Sequence, residues 1–259
     1  MSEWRPYSGP LAAEQLGDHQ APRITFLHGF TQTCNSWKPI GEWFAAQGLL
    51  VTVVDLPGHG GSAHVRADLR RMADMIAAVG GTGAYVGYSL GGRAGLHLAL
   101  MYPHVVEVLV TIGANPGIDD AQERAERRTT DDALGEHLLE IGLEQFLQEW
   151  TTLPLFGGLQ LSPEELADRL RNTPEGLADS LRMAGTGAQD SLWPRVRELN
   201  MPVVAVAGAE DHKFAAIARQ MADLVPNGIA HLVPGAAHAA HFEQPEAVAA
   251  IIAGALQLA

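Results

Sequence analysis

The feature that most constrains this sequence is a glycine-rich turn around Ser89, which reads Gly-Tyr-Ser-Leu-Gly-Gly-Arg over residues 87–93. A short apolar, β-prone run precedes the turn at 84–86, and a good helix-forming run follows it at 94–101. A serine on so tight a strand-to-helix turn takes a strained backbone, so small residues must flank it. The turn therefore displays the hydroxyl and points the free N–H groups of the helix at whatever binds there.

The rest of the chain alternates between strand and helix patterns after a short polar lead. Strands are predicted at 23–27, 49–54, 84–86, 105–112, 203–207 and 229–233, with helices at 37–47 and 68–79; the strand at 23–27 is expected to be buried, and 49–54 is a near-continuous apolar run. This alternation favours an α/β fold with a mostly parallel sheet and helices on both faces. At 259 residues, the chain is long enough for one large domain or a domain with an insertion.

Residues 115–193 interrupt this alternation. They contain several charged helical patterns and no convincing strand. We expect an inserted helical cap at 115–193, and a core built from residues 1–114 and 194–259. The core would then carry the Ser89 turn, and the cap would lie over it.

Charge and composition exclude several classes of partner. The chain has 17 Lys and Arg against 30 Asp and Glu, a net charge of −13, which argues against nucleic acid and anionic membrane surfaces. The apolar run at 247–258 is too short to span a bilayer, and residues 1–10 lack a signal-peptide core. Cys34 is the only cysteine, so no intrachain disulfide can form. We expect a cytoplasmic protein without membrane insertion, and the oligomeric state stays open.

Ser89 can act in catalysis only if a base takes its proton. The usual base is a histidine that a carboxylate orients, and in this class of sheet the partners follow in the order serine, acid, histidine. Asp211 follows the predicted strand at 203–207, and His238 follows the strand that ends at Val233. The sequence therefore predicts a catalytic triad of Ser89, Asp211 and His238.

Rival residues stand next to two members of this triad. Glu210 competes with Asp211 for the role of the acid, and a post-strand aspartate can also be a simple turn former. His241 is the nearest rival to His238, and we expect it to support the loop. His59 and His97 are predicted to be structural.

A negative charge that develops beside Ser89 needs preorganised N–H donors. One donor is expected to be the backbone of Leu90 at the start of the helix, and the other the backbone of Phe30 after the first strong strand. An ordinary β–α turn at Phe30 is the alternative interpretation.

Together these motifs resemble the α/β-hydrolase fold, and within it the 2-succinyl-6-hydroxy-2,4-cyclohexadiene-1-carboxylate synthases of menaquinone biosynthesis. The motifs shared with many esterases and C–C hydrolases are 27–30, 55–60 and the Ser89 turn. More specific to the synthases are 87–93, 123–127, 149–150, 154–156, 170–172 and 211–214, and the likeness runs from about Phe26 onward. One departure is Ala237, where the family commonly has glycine before the catalytic histidine.

The resemblance implies a small polycarboxylate substrate and a set of residues that bind it. The implied binding residues are Tyr88, Arg93, Arg127, Trp150 and Arg171. Arg93 lies one helical turn after Ser89 on the same face, and arginine can bind a carboxylate with two parallel hydrogen bonds. Without the resemblance, Arg127 and Arg171 would be interpreted as solvated charges of the cap, as Arg124 and Arg128 still are.

The reaction implied by the resemblance is elimination of pyruvate, with Ser89 as a general base rather than a nucleophile. It needs no metal and no organic cofactor, and the sequence shows no metal-ligand spacing. The alternatives are a serine hydrolase of esters or of C–C bonds in ring-cleavage products, and a binding module without catalysis.

Overall fold

A computed structural model describes residues 3–157 and 160–258, in which eight strands form one sheet in the order β1-β2-β4-β3-β5-β6-β7-β8. The strands are β1 (Arg5–Tyr7), β2 (Ala13–Leu16), β3 (Arg23–Leu27), β4 (Leu50–Val54), β5 (Gly83–Tyr88), β6 (Val106–Ile112), β7 (Val203–Gly208) and β8 (Gly228–Val233). Strands β3 to β8 pair in parallel, whereas β1 and β2 pair antiparallel at one edge. The predicted mostly parallel sheet is confirmed.

Ten α-helices accompany these strands in the described part of the chain. They are α1 (Lys38–Ala46), α2 (Leu69–Gly80), α3 (Leu90–Met101), α4 (Ala121–Ile141), α5 (Leu143–Thr151), α6 (Pro163–Arg169), α7 (Pro174–Ala184), α8 (His212–Leu224), α9 (Ala240–Glu243) and α10 (Pro245–Ala255). Among the described residues, no helix combines the length and the apolar character that a membrane span requires.

The antiparallel edge of the sheet was not predicted from the sequence, because the residues before β3 have the pattern of a polar lead. Strand β2 reads Ala-Glu-Gln-Leu, too short and too polar for a period-two pattern. Its Gln15 is nevertheless buried, and the side-chain amide donates to the Thr52 hydroxyl on β4 at 3.1 Å. A hydrogen bond to the neighbouring strand therefore takes the place of the apolar contact that a sequence pattern would reveal.

Two apolar clusters cover the two faces of the sheet. Helices α2, α3 and α8 supply one cluster, which includes Met72, Leu96 and Met221. Helices α1 and α10 supply the other, which includes Phe44 and Ile252. Because both faces are covered, the central strands read as continuous apolar runs, and every residue of β4 is buried.

Helices α4 to α7 lie between β6 and β7 in the chain. Between Ile112 and Val203, leaving aside residues 158 and 159, the structure contains helices and turns but no strand. These helices have a small apolar cluster of their own around Leu138, Phe146 and Leu177, against which Phe30 of the core packs. This arrangement fits an inserted cap, and the exact boundaries 115–193 stay a prediction.

The Ser89 turn joins β5 to α3 with the strain that its sequence predicts. Ser89 has φ +48° and ψ −104°, a conformation that a non-glycine residue adopts only at a cost. The close approach of the two elements leaves no room for a side chain at Gly91, where a Cβ would lie 2.2 Å from the Leu27 carbonyl oxygen. The Gly91 N–H also donates to the His28 carbonyl at 3.0 Å, which fixes the start of α3.

We predict that Gly91→Ala lowers the free energy of unfolding by at least about 3 kcal/mol, because the added methyl group meets backbone that cannot move aside. Gly254→Ala in α10 is the matched control, since no atom lies within 4 Å of its Cβ position. The control should leave stability unchanged or raise it by up to about 1 kcal/mol. Urea denaturation of both variants measures this, and equal stabilities would contradict the account.

Candidate active site

Asp211 and His238 follow adjacent parallel strands and meet at one edge of the sheet. The His238 Nδ1 lies 2.8 Å from Asp211 Oδ2, and both residues are buried. The other carboxylate oxygen accepts a hydrogen bond from the Phe214 N–H at 3.1 Å, at the start of α8. The carboxylate is therefore fixed by the helix, and it orients the imidazole so that Nε2 is available to take a proton.

Ser89 lines the same cavity as His238. No hydrogen bond between the Ser89 hydroxyl and the His238 ring is present in the part of the chain that the structure describes. In enzyme structures without a bound substrate, catalytic hydrogen bonds of this kind are often long, and they shorten only when the substrate binds. Aromatic rings hold the imidazole in place meanwhile: its centroid lies 4.4 Å from that of Phe214 and 5.5 Å from that of Tyr88.

The rival residues occupy different environments. Glu210 is exposed, whereas Asp211 is buried against the histidine. His241 is buried and stacks on Trp37, with ring centroids 4.7 Å apart. Burial lowers the pKa of His241 well below its ordinary value, so the ring stays neutral. The geometry therefore favours Asp211 and His238, and gives His241 the supporting position that was expected.

Phe30 and Leu90, the two residues predicted to form the oxyanion hole, both line the cavity that Ser89 and His238 line. Leu90 is the first residue of α3, so its N–H has no acceptor within the helix. The Phe30 N–H donates no hydrogen bond within residues 3–157 and 160–258. Two unpaired backbone donors thus come from the elements that the sequence predicts, and their role in catalysis stays a prediction.

Two buried histidines support the loop that carries Phe30. The His28 Nε2 accepts a hydrogen bond from the Leu56 N–H at 2.9 Å, and its ring centroid lies 4.9 Å from that of His59. Burial lowers the pKa of His28 to about 4 and that of His59 to about 3. Both rings are therefore uncharged at neutral pH, and they add no positive charge next to the loop of Phe30.

A cavity of about 200 Å³ lies between this edge of the sheet and helices α4 to α7. Its lining includes Ser89, Arg93, Arg127, Trp150, Arg169 and His238. Three arginines therefore line the same cavity as Ser89 and His238.

Arg93 projects from α3 and is only 8% exposed. Its Nη1 donates to the Ala184 carbonyl at 2.7 Å and to Gln189 Oε1 at 3.2 Å. No carboxylate forms an ion pair with it among the described residues. Burial lowers the pKa of Arg93 to about 10, so the guanidinium remains charged at neutral pH. The charge of Asp131, which pairs with Arg127, acts on Arg93 from a distance and partly offsets the effect of burial on its pKa. A buried guanidinium without a direct ion pair is costly, and a bound anion would reduce this cost.

Arg127 of α4 reaches the cavity from the cap side. Its Nε donates to Asp131 Oδ1 at 2.7 Å, and its side chain is 42% exposed. Asp131 is itself buried and also accepts a hydrogen bond from the Gly187 N–H at 2.9 Å. The carboxylate thus orients one edge of the Arg127 guanidinium and leaves the other nitrogens able to bind a ligand.

Arg171 is the one predicted binding residue that does not line the cavity. Its Nη1 pairs with Asp168 Oδ1 at 3.1 Å, and its side chain is 44% exposed. Arg169 lines the cavity instead, 5% exposed, and its Nη1 donates to the Thr31 hydroxyl. The role of Arg171 in binding therefore stays a prediction, and Arg169 is the arginine of this segment that lines the cavity. Residues two apart at a helix end point in different directions, and the sequence does not reveal which one faces inward.

Arg169 has an electrostatic environment similar to that of Arg93. It forms no ion pair within the described residues, and burial lowers its pKa. Its guanidinium lies 6.0 Å from the ring centroid of Phe242, which provides a weakly attractive aromatic face. The charges of Glu165 and Asp168 partly offset the effect of burial on its pKa. Two buried guanidinium groups without a direct ion pair among the described residues therefore border the same cavity.

Tyr88 and Trp150 line the cavity together with Ser89 and His238. Burial raises the pKa of Tyr88, which keeps the phenol neutral. The Trp150 ring packs on Phe30, with centroids 5.2 Å apart, and its Nε1 is buried without a hydrogen-bond partner in the described chain. An indole N–H can only donate, so Trp150 offers a further donor to a bound anion.

The fold and the site define a class of protein. The alpha/beta hydrolase family matches residues 26–251, and the chain belongs to that family. Two curated relatives, from Salmonella paratyphi C and Klebsiella pneumoniae, are named 2-succinyl-6-hydroxy-2,4-cyclohexadiene-1-carboxylate synthase, and each is 34% identical to this chain. The alignments cover 95% and 93% of this chain, and 98% and 96% of the relatives. Within the α/β hydrolases, the chain therefore belongs to this synthase family.

Solved structures agree with this assignment. The structure of MenH from Staphylococcus aureus superposes with a TM-score of 0.84 at 30% identity, covering 99% of this chain and 98% of that one. A thermophilic esterase from Thermogutta terrifontis superposes with a TM-score of 0.83 at 22% identity, covering 98% of each chain. The second likeness shows the shared fold alone.

We predict that stability falls as the pH is lowered from about 6.5 towards 4. His28 and His59 have lower pKa values in the folded than in the unfolded state, so the unfolded state binds more protons in this range. The contribution of the two neutral histidines to the free energy of unfolding is complete above pH 6.5. For His28, the loss of this contribution by pH 4 amounts to about 3 kcal/mol.

The measurement is the free energy of unfolding against pH for the wild type and for His59→Phe. The variant should lose stability less steeply between pH 6.5 and 4, whereas His19→Gln on the exposed surface serves as the control. Identical slopes for wild type and His59→Phe would contradict the assignment of a buried neutral ring.

Proposed function

We propose that this protein is a lyase that eliminates pyruvate from 2-succinyl-5-enolpyruvyl-6-hydroxy-3-cyclohexene-1-carboxylate. The product is 2-succinyl-6-hydroxy-2,4-cyclohexadiene-1-carboxylate, as in menaquinone biosynthesis. The observation that carries the proposal is the presence of two buried arginines, Arg93 and Arg169, without ion-pair partners among the described residues, in the cavity that Ser89 and His238 line. The names of the relatives supply the particular substrate.

Electrostatics explain why such a substrate suits this site. The substrate carries carboxylates on its succinyl arm, its ring and its enolpyruvyl group, whereas the whole chain has a net charge of −13. An anion would be repelled by the average surface, so binding depends on local cations. Buried arginines provide them with little screening by water, and a carboxylate would neutralise each guanidinium in return.

In the proposed mechanism, Ser89 acts as a general base. His238, oriented by Asp211, takes the hydroxyl proton, and the Ser89 oxygen removes the proton from the ring carbon next to the succinyl ketone. The enolate oxygen that forms is stabilised by the N–H groups of Phe30 and Leu90. Electrons then move through the ring double bond, and the C–O bond to the enolpyruvyl group breaks. The released enolpyruvate takes up a proton and becomes pyruvate.

Hydrolysis is the alternative reaction for the same side chains. There Ser89 would attack a carbonyl carbon and form an acyl-enzyme. An apolar cavity would suit the esters and ring-cleavage products of such enzymes, and the arginines that line this cavity favour elimination instead. A binding module without catalysis gives no reason for Asp211 to hold His238 beside Ser89.

The expected partner is thus a small polycarboxylate, with no nucleic acid and no cofactor. The cytoplasmic location also remains our proposal, and the single buried cysteine, Cys34, is in keeping with it.

We predict that the purified protein releases one pyruvate per substrate consumed, and that Ser89→Ala slows this release about 10²- to 10⁴-fold, because a positioned base is lost. A coupled lactate dehydrogenase assay follows the pyruvate. Ser36→Ala, outside the cavity, is the control and should keep the wild-type rate. The proposal fails if the wild type releases no pyruvate but hydrolyses simple esters rapidly and forms an acyl-enzyme on Ser89 that mass spectrometry detects.

A further inference from the structure

Ser180 lies in the cavity on the same face of α7 as the residue that holds Arg93. It is buried and lines the cavity together with Leu181 and Ala184. The Ala184 carbonyl accepts a hydrogen bond from Arg93 Nη1 at 2.7 Å. Residues four apart on a helix are neighbours on one face, so Ser180 lies about one turn, roughly 5 Å, from this contact.

The Ser180 hydroxyl differs from the other helical hydroxyls near it. Thr129, Thr130 and Thr151 donate to the carbonyl four residues earlier, at 3.2, 3.0 and 2.9 Å. Such bonds are the usual way in which a helix satisfies its own serines and threonines. The Ser180 Oγ is buried and has no hydrogen-bond partner within the described part of the chain. The hydroxyl is therefore an unused hydrogen-bond donor of a residue that lines the same cavity as the arginine side chains.

An unpaired buried hydroxyl costs about 1–3 kcal/mol unless something binds it. The groups around it suggest what that partner is. Arg93 forms no ion pair among the described residues, and Asp131, the acidic residue in the lining, is already occupied by Arg127 and the Gly187 N–H. A ligand that satisfies both Arg93 and Ser180 must be an acceptor with negative charge and more than one oxygen.

We propose that Ser180 binds the substrate by donating a hydrogen bond to the carboxylate that Arg93 holds, and so contributes to selectivity for a polycarboxylate. This inference rests on the proposed function and names one further substrate-binding residue. A carboxylate has two oxygens, so one can face the guanidinium while the other accepts from the hydroxyl.

The test compares Ser180→Ala with the wild type in the pyruvate-release assay. We expect KM to rise about 5- to 50-fold with kcat within about twofold, because the lost bond is made to a charged group of the bound substrate. The melting temperature without ligand should not fall, since the variant removes an unsatisfied hydroxyl. Thr130→Ala is the matched control, a cap hydroxyl bonded within its own helix, and it should leave KM unchanged.

Two results would overturn the inference while leaving the proposed function intact. One is a KM within twofold of the wild-type value, which would mean that the bound substrate does not use the hydroxyl. The other is a fall in kcat together with a lower melting temperature, which would mean that Ser180 has a structural role. If the wild type releases no pyruvate at all, the proposed function fails, and this inference fails with it.

Discussion

The site depends on the close contact between the end of β5 and the start of α3. Only because Gly91 lets the helix pack against the Leu27 backbone can Ser89 be held at φ +48° with its hydroxyl in the cavity. The same contact points the first N–H groups of α3 towards the loop of Phe30. The strain at one residue is therefore tolerated by the packing of the whole parallel sheet, whose covered faces leave these elements no alternative position.

The second constraint is electrostatic. The chain is strongly acidic, yet it buries Arg93 and Arg169 beside the candidate triad without an ion-pair partner among the described residues. Such an arrangement reduces stability in the free protein, and a bound anion would recover that loss. This trade of stability for binding is typical of functional sites.

Much of this arrangement follows from local sequence patterns. The parallel strands were predicted because apolar runs such as β4 and β7 alternate with helix patterns, and Ser89, Asp211 and His238 each follow one of the predicted strands. The antiparallel edge was missed because β2 buries a glutamine instead of an apolar residue. Arg171 was predicted from the motif match at 170–172, and nothing in the sequence pointed to Arg169, the last residue of α6, because only tertiary packing decides which arginine turns inward. Ser180 has no local signal, since its environment arises when α7 packs against the core.

The central claim is that buried arginines bind the carboxylates of the substrate above Ser89. The most direct test measures KM for pyruvate release in two variants that remove the same charge two residues apart, Arg169→Gln and Arg171→Gln. The account predicts that Arg169→Gln raises KM about 10- to 100-fold, the cost of a charge-assisted hydrogen bond, while Arg171→Gln changes it less than about threefold. A larger effect at Arg171, or equal small effects at both positions, would contradict the account.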